Sequence, residues 1–363
     1  MIKIKLIESE IHRNETTFRP LMFIQNELKQ VGIELFTDNN VSSYDFALVG
    51  QASIANKKRK LDESVDMGLE KLNSITGDYI ILDGQDSTSL IGTIDVFRHV
   101  YNDKRCKLFL KTSYLKDFDN YKKEWVLGRM YWGYDRPGPD QLNSRYGTNY
   151  SVPDIDGMKS KMKLAGFNWL STIQPNWNHP IPPKSTDVWA FFQYPMNKKV
   201  YEHEVLQSVH YDNFRKGLHD KLELLESKYK IIRMKDGIRV SQDDYYQKMF
   251  FSKIIIAALG YGEMAPRDIE SAMFNSVLFK NDMSHIQTIP NPYIPFETYV
   301  PIKWNWEDVE EKIDIVLHSD WKMYPNNLKK TFIDENSSLK RVIHWYDLIK
   351  NIDNVNQEEV NNE

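Results

Sequence analysis

Apolar and polar positions alternate along the first part of the chain with two periods, one typical of strands and the other of helices. Residues 2–7 alternate as a strand, and residues 17–31 place their apolar side chains at helical spacing. The same patterns predict further strands at 33–36, 44–49, 79–82 and 107–111, and further helices at 62–75 and within 89–101. Strands and helices that follow one another in this way predict a parallel sheet covered on both faces by helices, an α/β fold.

The second half repeats this alternation after a different kind of segment. Residues 131–183 are rich in Pro, Gly and Asn, and we read them as long loops and short helices that join two domains. From residue 187 onward the pattern predicts strands at 188–193, 230–234 and 253–259, and helices within 203–229 and at 241–251, 306–317, 324–334 and 338–352. A length of 363 residues also favours two domains over a single core.

The amino-acid composition argues against several kinds of partner, metal site and membrane attachment. Net charge is −4, from 47 basic and 51 acidic side chains, so the basic excess typical of nucleic-acid binding is missing and we expect no stable complex with nucleic acid. The single cysteine, Cys106, excludes an internal disulfide and a four-cysteine zinc site. No apolar run approaches the ~20 residues that span a bilayer, and the amino terminus resembles a strand. We therefore expect a cytoplasmic protein without a transmembrane segment, with peripheral membrane contact left open.

The most informative segment, residues 253–280, reads as strand, glycine turn, helix and second strand. The turn Gly260, Tyr261 and Gly262 can bring backbone N–H groups close to an anion, and the helix that Pro266 begins adds its positive end. Arg267 and Glu270 lie three positions apart, so both project from one side of this helix. A guanidinium can hold a diphosphate and a carboxylate the two hydroxyls of a ribose. The alternative is an ordinary surface ion pair.

The stretch 293–314 then runs a short strand into a helix with an acidic first turn. Together, residues 253–314 resemble the carboxyl-terminal half of GT-B glycosyltransferases, particularly their exostosin-like branch. There, a glycine turn, an Arg-x-x-Glu helix, a strand and a "Val-Pro…Trp…Asp/Glu" segment form the nucleotide-sugar pocket. The resemblance implies two Rossmann-like domains that face each other across a cleft. It assigns residues 1–130 to an acceptor domain, 131–186 to connecting and acceptor loops, 187–335 to a nucleotide-sugar domain, and 336–363 to a terminal helix and polar tail.

The resemblance also implies an activity: transfer of a sugar from a nucleotide-sugar donor to a glycan or other hydroxyl acceptor, with no cofactor and no obligatory metal. Arg267 would meet the donor pyrophosphate, and Glu270 the donor sugar or ribose. The other implied donor-binding residues are Lys198, Arg239, Gly260, Tyr261, Gly262 and Glu263. Many retaining members carry two glutamates eight positions apart, whereas Glu263 and Glu270 are seven apart. The stereochemical outcome is therefore not carried over.

Asp83 and Asp86 directly follow the predicted strand 79–82. Ligands of α/β proteins bind beyond the carboxyl ends of the strands, so either carboxylate is a candidate for the base that takes a proton from the acceptor hydroxyl. We place Asp83 first, because it follows the strand immediately, and Asp86 second. The alternative is an Asx turn in which the aspartates cap the next helix.

Rival functions remain open at this point. A GT-B-like nucleotide-sugar epimerase would share the fold, and so would a non-catalytic bilobal protein that binds glycans. A third alternative is transfer of a sugar to modified bases in DNA, but the excess of acidic over basic side chains argues against it. The P-loop and the Gly-x-Ser-x-Gly motif are absent, and Gly-x-Gly-x-x-Gly does not follow the first strand.

Overall fold

The computed structural model describes residues 1–7, 17–37, 43–54, 61–90, 94–126, 130, 149–179, 183–190, 215, 217–233, 241–259 and 262–352. Its first half contains β1 (Ile2–Ile7), α1 (Arg19–Met22), α2 (Gln25–Gln30), β2 (Ile33–Phe36), β3 (Phe46–Gly50), α3 (Gln51–Ile54), α4 (Leu61–Asn73), β4 (Asp78–Asp83), α5 (Ile94–Val100), β5 (Cys106–Lys111), β6 (Ser113–Leu115), α6 (Asp119–Lys122), β7 (Trp125–Val126), β8 (Asn149–Tyr150), α7 (Ile155–Met158), β9 (Met162–Leu164) and a 3-10 helix (Trp169–Thr172).

The second half contains β10 (Thr186–Ala190), a helical segment α8 (217–225), β11 (Ile231–Arg233), α9 (Gln242–Phe251), β12 (Ser252–Ile256), α10 (Pro266–Met273), β13 (Val277–Asn281), β14 (Ile286–Thr288), β15 (Val300–Ile302), α11 (Val309–Leu317), α12 (Met323–Glu335) and α13 (Ser338–Lys350). Where a predicted element lies on described residues, it recurs within a few residues of its predicted bounds, whereas β6, β7, β8, β9 and β14 are not predicted by the pattern. Most of the predicted helical range 203–229 and the end of the predicted strand 188–193 lie outside the described residues.

The first sheet has six strands in the order β2-β1-β3-β4-β5-β9, and every neighbouring pair is parallel. Strand β4 shows why this sheet is covered on both faces. Its side chains from Tyr79 to Leu82 are all buried, and alternate residues enter two different apolar clusters, Tyr79 and Ile81 on one face and Ile80 and Leu82 on the other. An unbroken apolar run of this kind is typical of a strand inside a parallel sheet.

The second sheet has five parallel strands in the order β11-β10-β12-β13-β15. Strand β12 repeats the arrangement of β4, because Ile254 and Ile256 enter one apolar cluster and Ile255 enters another. The two parallel sheets with their helices confirm the predicted α/β fold of two Rossmann-like domains.

Two contributions to the first domain come from later in the chain. Strand β9 adds the edge strand beside β5, so the region read as loops and short helices also contains a strand of the sheet. Helix α13 packs its Val342, Trp345 and Ile349 side chains into the core of the first domain. The indole N–H of Trp345 donates to the Ala165 carbonyl at 2.8 Å. The division of the chain into four ranges stays a prediction.

The carboxyl ends of the two sheets meet. Strand β6, which follows β5, pairs antiparallel with β14, which follows β13, and the pairing joins Leu115 with Ile286 and Ser113 with Thr288. The Thr288 hydroxyl donates to the Thr112 carbonyl at 3.0 Å, and the Asn168 amide donates to the Thr288 hydroxyl at 3.0 Å. The edges at which α/β proteins bind ligands are thus brought together.

No helix in the described part of the chain is both long enough and apolar enough to cross a bilayer.

Candidate functional site

Helix α10 carries the two central residues of the predicted donor site. It begins with Pro266, whose missing N–H is not needed in the first turn. The Asp268 carboxylate accepts a hydrogen bond from the Ala265 N–H at 3.0 Å and so caps the helix start. Arg267 is half-buried and Glu270 is buried. The structure therefore contains the predicted helix, and it begins at Pro266 as predicted.

Two tyrosines of helix α9 hold the Glu270 carboxylate. The Tyr245 hydroxyl donates to one oxygen at 2.7 Å, and the Tyr246 hydroxyl approaches the other at 3.4 Å. Burial raises the pKa of the Glu270 carboxyl, although the Tyr245 hydrogen bond and the charge of Arg267 act to lower it. The two tyrosines of α9 therefore fix the orientation of the carboxylate, and the charge of Arg267 is close enough to affect its pKa.

Asp268, between these two residues, belongs to a fully buried ion pair. Its carboxylate lies 2.9 Å from the Lys280 ammonium, and neither side chain is exposed. The Tyr293 hydroxyl donates to the same carboxylate at 2.6 Å. Burial lowers the pKa of Lys280 in spite of the Asp268 charge. This pair ties helix α10 to strand β13 and fixes the side of the helix from which Arg267 and Glu270 project.

Glu263 joins the two domains. Its oxygens accept hydrogen bonds from the Thr88 N–H at 2.7 Å and the Thr88 hydroxyl at 2.8 Å, and one of them lies 3.1 Å from the His285 Nε2. Burial acts to raise the pKa of Glu263, but the bonds to His285 and Thr88 outweigh it and the pKa is lowered. The structure therefore places this predicted donor-binding residue in a contact between domains.

Gly262 and Asp86 are in direct contact. A Cβ at position 262 would lie 2.1 Å from the Asp86 Cγ and 2.5 Å from its carbonyl oxygen, so this approach requires glycine. The Asp86 carbonyl also accepts from the Glu263 N–H at 3.0 Å and the Met264 N–H at 3.2 Å. Half-buried Asp86, from the first domain, thus lies against Gly262 of the second.

Asp83 has a different environment, although it is only three residues away. Its side chain is fully buried and lies 3.0 Å from the Lys111 ammonium, which is also fully buried. The other Asp83 oxygen accepts from the Gln85 N–H at 3.1 Å, and Lys111 donates to the Ser89 carbonyl at 2.8 Å. This pair ties β4 to β5 and to the loop that carries Asp86. The buried position disfavours proton transfer from an acceptor, and the role of Asp83 as base stays a prediction.

Four predicted donor-binding residues lie outside the described residues: Lys198, Arg239, Gly260 and Tyr261. Sequence reasoning missed several residues that the structure brings to the site: Lys111, Tyr245, Tyr246, Asp268, Lys280 and His285. Of these, Asp268 had a local signal, because it stands in the first turn of the helix between Arg267 and Glu270. The others come from distant parts of the chain.

A group of potential metal ligands in the described part of the chain lies elsewhere, on α8. It consists of His219, Asp220 and Glu223. The guanidinium of Arg233 lies 2.7 Å from the His219 ring, and it also contacts Glu223 at 3.4 Å and Glu226 at 2.6 Å. A cation already occupies the acidic side of this group, so its charge disfavours a second one.

Comparisons with known proteins give similarity at the level of structure alone. No protein-family model matches the chain, and no curated protein matches it in sequence. One similar solved structure is the DNA-modifying enzyme β-glucosyltransferase, determined with and without uridine diphosphoglucose. It is 10% identical, with 97% of this chain and 99% of that chain covered and a TM-score of 0.45.

Sucrose-phosphate synthase from Thermosynechococcus elongatus is 9% identical, with 97% and 99% of the two chains covered and a TM-score of 0.46. The Anabaena protein HepE, in complex with UDP and glucose, is 10% identical, with 96% and 100% covered and a TM-score of 0.42. Because similarity of this size carries no argument about activity, the function is argued from the site itself.

Proposed function

We propose that the protein is a GT-B glycosyltransferase, which moves a sugar from a nucleotide-sugar donor to a glycan or other hydroxyl acceptor. The observation that carries the proposal is the contact of Asp86 with Gly262 and the two residues that follow it, just before α10. An acidic residue from one domain thus contacts the segment of the other that leads directly into the helix of Arg267 and Glu270. A group-transfer enzyme needs this combination, because the base and the anion-binding groups must act on the same pair of substrates.

Donor binding follows from the chemistry of α10. The Glu270 carboxylate, oriented by the two tyrosines, would accept hydrogen bonds from the ribose hydroxyls. Arg267 and the amino-terminal end of α10 would hold the diphosphate and stabilise its charge as the bond to the sugar breaks. We retain Lys198, Arg239, Gly260, Tyr261 and Gly262 as further donor-binding residues, and Glu263 as the residue that fixes the turn.

For the catalytic base we propose Asp86 ahead of Asp83. A base must reach the acceptor hydroxyl within hydrogen-bond distance. Asp86 is half-buried beside Gly262, whereas Asp83 is enclosed with Lys111. The reaction is proposed to need no cofactor and no obligatory metal, since the charge on the leaving diphosphate would be met by arginine, lysine and the helix end. Activity that persists in the presence of EDTA would support this part.

The finer assignments belong to the same proposal. They are membership of the exostosin-like branch, a cytoplasmic location and the absence of stable nucleic-acid binding. The sequence segment 253–314 supports the first, and the charge balance of −4 supports the last. An epimerase would consume a nucleotide sugar without an acceptor, and a glycan-binding protein would not bind the nucleotide.

Replacement of Arg267 by alanine tests the donor site. UDP-glucose, GDP-mannose and UDP-N-acetylglucosamine are first screened by thermal shift to find the donor, since a bound ligand raises apparent stability. With that donor, Arg267→Ala is expected to lower kcat/KM on the order of 10²–10³-fold, the usual loss when a charge-stabilising group is removed. The control is Arg98→Ala, because Arg98 contacts Asp95 and Asp154 at the surface of the first domain. A folded Arg267→Ala protein with undiminished turnover would contradict the donor assignment.

A further inference from the structure

A cavity lies at the far edge of the second sheet, away from α10. Its volume is about 630 Å³, and it opens beyond the carboxyl ends of β13 and β15. Small-molecule sites are commonly of this size and at this end of a parallel sheet. Phe296 and Trp304 line it, together with Asp282, Asp308, Lys303 and Lys312. None of its lining residues belongs to the proposed donor site.

Phe296 is presented to this cavity by a fixed loop. The residue is 51% exposed, and its backbone has a φ of 60°, a left-handed conformation that is costly for an aromatic residue. The loop is held by the bond from the Phe296 N–H to the Tyr299 carbonyl at 2.9 Å and from the Thr298 hydroxyl to the Pro292 carbonyl at 2.6 Å. The surrounding structure therefore imposes an exposed aromatic ring.

The charged side chains that line the cavity are two aspartates and two lysines, so their formal charges cancel. Asp282 accepts from the Ser284 N–H and hydroxyl, both at 2.9 Å, and Asp308 accepts from the Lys303 N–H at 2.9 Å. The Lys303 ammonium contacts Glu307, and the Lys312 ammonium lies 4.9 Å from the centre of the Phe296 ring. Two carboxylates at the lining would repel a phosphate, and both ammonium groups already have partners. The lining suits a neutral ligand with many hydroxyls.

From this lining we propose that the cavity is a carbohydrate-binding site, in which a pyranose ring stacks on Trp304 and contacts Phe296, whose ring the Lys312 ammonium also contacts. The C–H bonds of a pyranose face are slightly positive and suit the negative face of an aromatic ring. The carboxylates of Asp282 and Asp308 and the amide of Asn305 can receive or donate hydrogen bonds at the ring edge. This is a sugar site in addition to the donor site, and it does not depend on the proposed transfer.

The cavity is connected to the contact between domains. The Trp304 ring packs edge-on against the His285 ring, with 5.6 Å between the ring centres. His285 in turn contacts Glu263, which bonds to Thr88 of the first domain. A glycan chain bound at Trp304 would therefore extend from a point near the meeting edges of the two sheets.

The test uses the full chain and saturation-transfer NMR with maltose, cellobiose, N-acetylglucosamine and methyl mannoside as probes. At least one probe is expected to show saturable binding that excess UDP does not displace. Phe296→Ala and Trp304→Ala are each expected to weaken this binding at least tenfold. The matched control is Tyr346→Ala, which removes another exposed aromatic side chain, on α13.

Three outcomes would overturn the assignment: no saturable binding of any probe, binding that survives both aromatic substitutions, or displacement by UDP, which would place the sugar in the donor pocket. Exposed Phe296 keeps the test valid if Trp304→Ala fails to fold. Arg267→Ala is expected to leave this binding intact. Loss of the proposed transferase activity and loss of this site are therefore separate results.

Discussion

Asp83 and Asp86 show how sharply the environment changes over three residues. Asp83 is fully buried with Lys111, whereas Asp86 is half-buried against Gly262. Removal of one partner from a buried ion pair leaves the other charge uncompensated, at a cost of about 3–5 kcal/mol. The same substitution at half-buried Asp86, the proposed base, should change the rate of transfer far more than stability.

We therefore expect opposite effects from two matched variants. Asp83→Asn should lower the free energy of unfolding by about 3–5 kcal/mol, as measured by urea denaturation. Asp86→Asn should leave it nearly unchanged and should lower kcat by ~100-fold or more, since an amide cannot take the proton. Each variant is the control for the other. A stable Asp83→Asn protein with greatly reduced kcat would restore Asp83 as the base.

The residues that sequence reasoning could find are those whose relation is local. Arg267 and Glu270 share a side of one helix because they are three positions apart, and this follows from helix geometry. The tyrosines behind Glu270 come from another helix, and Lys111 reaches Asp83 from the neighbouring strand. No helical or strand period along the sequence relates these residues to one another. Their contacts could therefore be found only from the tertiary structure.

At the scale of elements, Lys184 joins the carboxyl-terminal ends of two helices. Its ammonium donates to the Phe250 carbonyl of α9 at 2.8 Å, the Phe274 carbonyl after α10 at 2.6 Å and the Ser276 hydroxyl at 3.2 Å. A cation is favourable at this end of a helix. Burial nevertheless lowers the pKa of Lys184 to about 7, and the three groups to which its ammonium donates are all uncharged.

This pKa predicts a pH dependence of stability. Between about 7 and the usual lysine value of 10.5, the folded state has lost a proton that the unfolded chain still holds. Stability should therefore rise with pH across this range. Urea denaturation at pH 6.5 and 9.5 should show the rise in the wild type and a smaller one in Lys184→Met. Equal pH dependence in the two proteins would contradict the assignment.

Elements were predicted well where their own pattern was strong. Strands β4 and β12 are continuous apolar runs, and α10 has a proline start, so their positions could be read locally. Strand β9 was missed because it has only three residues within a region rich in turn formers. It is a strand because β5 offers a free edge beside it, which is a tertiary cause.

At the scale of the whole molecule, the protonation of Glu263 makes the contact between the two domains depend on pH. Its pKa is lowered because the bonds to His285 and Thr88 outweigh burial. A lowered carboxyl pKa stabilises the fold above the usual value of about 4.5, and this stability is lost as the pH falls through the folded value. Acid should therefore weaken the contact between the two domains.

Glu263→Gln tests this expectation. At pH 6.5 the variant should be less stable by about 1–3 kcal/mol, because the Thr88 and His285 groups lose a charged acceptor inside the protein. The difference from the wild type should shrink as the pH falls from 5 to 3, when the wild-type carboxyl also becomes neutral. Thermal denaturation across this range measures it. A difference that stays constant with pH would mean that the carboxylate charge is not responsible.

The return of α13 to the first domain has a consequence for synthesis on the ribosome. Trp345 stacks beside Phe167 and belongs to the same apolar cluster as Ile4 and Leu82. Strands β1 and β4 therefore emerge from the ribosome long before α13, the helix that completes their core. Contacts between residues so far apart along a chain form slowly, since a long loop must first close. The nascent first domain must pass through a stage in which one face of its sheet lacks its final cover.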